Sequence, residues 1–197
     1  MVIFKTMLNF KLHLIFNKNI FPTSYYYILG SREKYLLLNL SVLSEIKIKI
    51  KNFINFLGRN DGLFCFICFN KLFFGLTKKI AVMSGQNYIV GNWLTGFFSK
   101  NMHIQLLNYV NQNNLHKNIP NLKNPVFFLV TPDGSSFFIY ESVHFNSPFL
   151  GITSVNCNNR YFSYSLVCET LSFYNIYFYL KLFSGFIINS KKDAYTQ

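Results

Sequence analysis

The residues with chemistry to offer are few: four cysteines, four histidines and seven carboxylates in a chain of 197 residues. Cys65 and Cys68 form one Cys-x-x-Cys, the spacing of half a tetrahedral metal site. The pair lies in Leu63-Phe-Cys-Phe-Ile-Cys-Phe69, which reads as a buried strand, and strand alternation sends residues three apart to opposite faces. A chelate needs both sulfurs on one ion, and a second pair is missing. Cys157 and Cys168 stand alone, which fits a reducing compartment. His13, His103, His116 and His144 have no second ligand at metal spacing. Glu141 and His144 stand three apart on a predicted helix, an arrangement that metal sites use in duplicate; one copy reads as a solvated helix pair.

Acid–base and nucleophilic chemistry fare no better. Glu33, Glu45, Asp61, Asp133, Glu141, Glu169 and Asp193 are scattered and form no obvious couple. Ser135 and Ser136 follow a turn without a nucleophile-elbow pattern. The first predicted strand is followed by Ser-Val-Leu-Ser-Glu rather than a Gly-rich phosphate loop, and Gly91 and Gly96 lack the Lys-Ser/Thr that would make a P-loop. The expectation is a protein that is not an enzyme, with no catalytic residue, cofactor, metal or small-molecule substrate.

The elements carrying these residues alternate. Leu36 to Leu40 suits a parallel strand buried on both faces. Val42 to Leu57 has apolar residues at 43, 46, 50, 53, 54 and 57, an amphipathic helix stopped by Gly58. Further strands are expected over 63–69, 126–131, 149–154 and 161–167, with helices over 72–83, 136–146 and 171–188. Residues 101–116 are polar and Asn-rich. Strand and helix in alternation predict a parallel α/β sheet with helices on both faces, in the flavodoxin-like manner. One domain over residues 1–197 is expected, with 1–20 as an N-terminal extension and no Ser/Gly linker.

Charge supplies the functional lead. Lys+Arg 19 against Asp+Glu 7 gives a net charge of +12, while a hydrophobic share of 51% excludes a disordered basic tail. Asn, Ile, Lys, Phe and Tyr make up nearly half the chain, whereas Ala, Arg, Pro and Gly are scarce. The first set has AT-rich codons and the second GC-rich ones, the composition of an AT-biased genome such as an organelle's. The shortage of acids is not explained by that bias, so an anionic partner is the default. The uncharged run Ile80 to Ser99 holds Ser84, Gly85, Gln86, Asn87, Gly91 and Asn92, a cluster a bilayer core penalises, so no membrane insertion is expected. The first 21 residues lack the Arg and Ser enrichment of a transit peptide, which fits synthesis inside an organelle.

Three boxes then carry a resemblance. Tyr88-Ile-Val-Gly-Asn-Trp93-Leu-Thr-Gly96-Phe-Phe-Ser-Lys100 resembles, without gaps, the Y-V-x-x-R-W-L-G-G-M-L-T-N box of the ribosomal protein S-two family of the small subunit. Pro22, Tyr27-Ile28 and Gly30, then Leu36 to Leu40, are similar to that family's N-P-K-M-x-x-Y-I-x-G and I-I-D-L. Pro132, Glu141-Ser142, Pro148 and Ser154-Val-Asn156-Cys157 fall at the spacings of its D-P, E-A, I-P and D-T-N-C, and Tyr164 falls on the Tyr before its I-P-G-N-D. Asn92 replaces the box's Arg, Thr95 its first Gly, Lys100 its Asn and Ser154 the Asp. Leu166-Val-Cys-Glu-Thr170 replaces I-P-G-N-D, and His-x-Gly-His is reduced to His13.

The resemblance spans roughly residues 20 to 185. It implies a structural constituent of the small ribosomal subunit, placed where head meets body and touching rRNA and neighbouring small-subunit proteins. The degree of divergence points to a mitochondrial ribosome. The family's coiled-coil hairpin has only residues 101–119 to occupy, so it is expected to be truncated or absent. Candidate RNA contacts are Lys11, Lys18, Arg32, Lys71, Lys78, Lys79, Asn92, Trp93 and Lys100. The alternatives are a basic membrane-associated protein and an α/β enzyme with a degenerate nucleotide site.

Overall fold

The computed structural model describes residues 7–9, 11–16, 19–60, 62, 64–93, 96 and 126–195. Lys18, Lys100 and the 101–119 segment lie outside the described residues. In chain order the elements are β1 (Leu14–Phe16), β2 (Ile28–Arg32), β3 (Tyr35–Leu38), α1 (Leu40–Arg59), β4 (Phe64–Cys68), α2 (Phe74–Ser84) and β5 (Asn87–Val90). After these come β6 (Val126–Leu129), α3 (Ser136–His144), β7 (Phe149–Thr153), β8 (Tyr164–Val167) and α4 (Phe173–Tyr195).

Five strands pair in parallel in the order β5-β4-β6-β7-β8. Counted within the sheet this is 2-1-3-4-5, the flavodoxin-like order. Every residue of β4, β6 and β7 is buried, as a parallel sheet covered on both faces requires. The pleat divides them: Phe64, Phe66, Cys68, Val126 and Phe128 join the core under α1, α2 and α4. Cys65, Ile67, Phe127, Leu129 and Phe149 join a second core under Phe138 of α3. Cys65 and Cys68 therefore sit on opposite faces, as the strand reading expects.

Local chemistry fixes the helix ends. Asn39 caps α1 by accepting from Ser41 N. Gly85 ends α2 with φ 62°, its N–H turned back to the carbonyls of Ala81 and Val82. Next to it the Gln86 amide oxygen accepts from Phe64 N at 3.0 Å, tying the start of β4 to the end of α2. The closing helix α4 buries Ile176, Tyr179, Leu180, Phe183 and Ile187, and Phe183 stands edge-on to Phe128 at 4.2 Å. Truncating such a ring costs about 3–5 kcal/mol.

Three details differ from the sequence reading. Residues 36–40 do not enter the parallel sheet: β3 is the middle of a separate antiparallel sheet, order β1-β3-β2. The tight turn at Glu33-Lys34, with Glu33 at φ 53°, folds β2 back onto β3, and only Leu36 and Leu38 of the strand are buried. A run of leucines hid that alternation. Gly58 is not a stop but a buried residue inside α1, which continues to Arg59. The described residues of the 1–20 stretch are built into the fold: β1 pairs with β3, and Met7, Leu12 and Ile15 are buried in the main core.

Candidate nucleic-acid interface

In a doubly wound sheet the ligand crevice lies at the carboxyl ends of the strands where the order reverses, here between β4 and β6. Phe69 follows β4, Trp93 follows β5 and Phe138 projects from α3. Their rings meet at that place: Phe69–Trp93 at 6.4 Å, Trp93–Phe138 at 5.0 Å and Phe69–Phe138 at 6.2 Å. Edge-on and tilted aromatic packing of this kind is favourable in its own right, and it closes the crevice with side chains. Trp93 is thus half-buried and packed against the α3 core.

The carboxylate of Glu141 fastens this region. It accepts from the Trp93 indole N–H at 3.1 Å and from the Gly96 backbone N–H at 2.5 Å. A second junction ties the start of the chain to the far end of the same edge. Phe21 N donates to Val155 O at 2.9 Å, Asn159 N donates to Thr23 Oγ1 at 3.3 Å and Asn159 Nδ2 to Ser24 Oγ at 3.1 Å. The hydroxyls of Tyr27 and Ser165 share a hydrogen bond at 3.1 Å. Phe16 N donates to Glu169 Oε2 at 3.1 Å.

The basic residues divide between two surfaces. Lys71 opens the short turn after β4, and Lys78 and Lys79 stand exposed on α2. Asn92 is exposed after β5, so Lys71, Asn92 and Trp93 share the carboxyl edge of the parallel sheet. Arg32 is exposed at the end of β2, and Lys11 is exposed in the turn that leads into β1. Lys11 lines a cleft of about 480 Å³ with Phe16, Tyr35, Glu169, Tyr174 and Asn175.

Sequence reasoning missed three features. Lys47 and Lys51 lie one turn apart on α1; partial burial, and then the Lys51 charge, lower the pKa of the Lys47 ammonium. Exposed Phe16, Tyr35 and Tyr174 line one cleft; they come from β1, β3 and α4, which no local pattern joins. A cleft of about 660 Å³ opens beside α3, between Tyr140 and Tyr161. Among the described residues no three of His, Cys, Asp and Glu stand together where they could hold a metal ion, and no helix is long and apolar enough to cross a membrane.

No family model matches the chain, and no curated protein matches it significantly. The fold defines a doubly wound α/β protein, basic overall, whose strand-end crevice is filled by rings.

Proposed function

We propose that the chain is a structural constituent of the small subunit of a mitochondrial ribosome, binding rRNA near the head–body junction beside neighbouring small-subunit proteins. The observation that carries this reading is the meeting of the Trp box with the third box. Trp93 and Gly96 of the Trp box are both hydrogen-bonded to Glu141 of the third box. Phe21, immediately before the first box, donates to Val155 of the third. Glu141 and the Trp-box residues, matched independently along the chain, thus meet in space, which supports the resemblance.

The net charge of +12 supplies the attraction to phosphate. Exposed Lys11, Arg32, Lys71, Lys78 and Lys79 would neutralise phosphates, while exposed Asn and Tyr donate to phosphate and ribose without reading sequence. The AT-biased composition supports an organellar setting.

The test is sedimentation of the tagged protein through a sucrose gradient made from isolated mitochondria. Co-migration with the small-subunit rRNA is expected. Recovery in the membrane fraction after a high-salt wash, or in the free pool, would sink the assignment.

A further inference from the structure

The 660 Å³ cleft beside α3 lies one strand beyond the filled crevice, at the carboxyl ends of β6 and β7. One wall is α3, through Tyr140, Val143 and His144; the other is the loop after β7, through Cys157, Asn158 and Tyr161. Its size falls within the range of about 300–1,000 Å³ that holds small organic ligands. The two tyrosines are 71% and 48% exposed, so each keeps ring surface available to a ligand.

The chemistry of the lining selects the ligand. A tyrosine offers a flat π face for stacking together with a polar hydroxyl, the combination on which unstacked bases are held. Among the described residues no carboxylate lines the cleft. Glu141, the acid of α3, is engaged by Trp93 and Gly96, and Asp133 stands exposed in the turn between the lining residues Pro132 and Gly134. A cationic group stands near the rim, the exposed Arg160 beside Tyr161, and His144 adds an imidazole to the lining. At one end lie Ser135 and Ser136, where α3 begins without a side-chain cap and the Ser135 hydroxyl donates to Pro132 O.

We propose that this cleft is a base-stacking slot that receives one unstacked nucleotide of single-stranded RNA between Tyr140 and Tyr161. The inference rests on the RNA-binding reading above and names a contact that the basic residues alone do not specify. Because base stacking is indifferent to sequence, the slot tolerates any base.

Cys157 provides the probe. Of the four cysteines it is the only one not buried, and it lines the slot. The full-length protein is titrated with single-stranded oligouridylate and oligoadenylate of about ten nucleotides, long enough to fill one site, while Cys157 alkylation is timed. RNA is expected to slow alkylation. The Tyr140→Ala/Tyr161→Ala variant should bind about tenfold more weakly or worse, since stacking is worth roughly 1–3 kcal/mol per base, with an unchanged salt slope because no phosphate contact is lost. Val143→Trp, which fills the slot from an exposed position, should weaken binding without removing an aromatic.

Equal alkylation with and without saturating RNA, or unchanged affinity in both variants, overturns the slot. UMP or AMP binding as tightly as the oligonucleotide would assign it to free nucleotides instead. Protection of Cys157 in intact subunits that survives nuclease digestion would assign it to a protein neighbour. Each of these outcomes leaves co-sedimentation intact, whereas a chain that stacks RNA yet never enters the subunit defeats the ribosomal reading and keeps the slot.

Discussion

Trp93 and Glu141 stand 48 residues apart and are joined by an indole N–H donating to a carboxylate at 3.1 Å. The same carboxylate holds Gly96 N, so a single side chain on α3 fixes the segment that leaves β5. Glu141→Ala removes the acceptor from both donors. A hydrogen bond to a charged group contributes about 1.5–3 kcal/mol, and the half-burial of this site puts the expected loss near the lower figure. Trp93 is the only tryptophan, so its emission reports the site directly. The variant should unfold at lower denaturant concentration with red-shifted native emission; Glu141→Gln, which keeps one acceptor oxygen, should fall between the two.

Thiol chemistry should single out one cysteine. Cys65, Cys68 and Cys168 are buried, and burial raises each thiol pKa, that of Cys65 to about 12. The thiolate is the reactive form. Native protein at pH 8 should therefore take up one equivalent of iodoacetamide, at Cys157, and the remaining three only after denaturation. Intact mass spectrometry over time reads both stages; rapid labelling of Cys65 in the native state would show that β4 is not the buried strand described.

The same burial predicts alkaline sensitivity. Cys65 is raised from 9.0 to about 12 in the fold, so between those values the unfolded chain has lost a proton that the folded chain retains. Stability then falls as pH rises, by at most about 1.4 kcal/mol per pH unit for each such thiol. Cys168 and the Tyr179 hydroxyl, both fully buried and both raised, act in the same direction. Thermal unfolding should show a falling midpoint above pH 9, with a shallower fall in Cys65→Ala. A midpoint independent of pH from 9 to 11 would contradict these burial assignments.

What the sequence made legible follows from how locally each feature is encoded. Strands β4, β6 and β7 are continuous apolar runs bounded by turns, and α1 carries its stripe at helical spacing, so their type was plain from the residues. The small antiparallel sheet was not. Its turn, Glu33-Lys34, has none of the Asn-Gly signature that marks hairpins, and β1 pairs with β3 rather than with β2, the strand that follows it. Gly58 looked like a helix stop because the sequence cannot show what faces it. A side chain there would run into Ser190 of α4, so the glycine marks a close helix crossing. For the candidate site, the exposure of Lys71, Lys78, Lys79 and Asn92 agrees with a contact role, but exposure alone does not select among lysines. The slot beside α3 was hidden because its two walls come from segments whose tyrosines have no sequence relationship.

The lysines of α2 offer the most direct electrostatic test. Lys78 and Lys79 are exposed on a helix whose buried residues, Thr77, Ile80, Ala81 and Ser84, belong to the opposite face, so replacing both by Ala leaves the core untouched. Alanine is also the better helix former, and the fold should keep its stability to within about 0.5 kcal/mol. If both side chains neutralise rRNA phosphates, each contributes about 0.7–0.9 to the slope of log affinity against log salt concentration. The double variant should then enter the small subunit less readily at elevated salt, with a slope shallower by up to about 1.8, the sum of the two contacts. Incorporation is measured by reconstitution or pulse-labelling across a salt series, followed by gradient centrifugation. Equal incorporation and an equal slope would identify this helix face as solvated in the particle, and the rRNA contacts would then have to come from the edge carrying Lys71 and Asn92 or from Lys11 and Arg32.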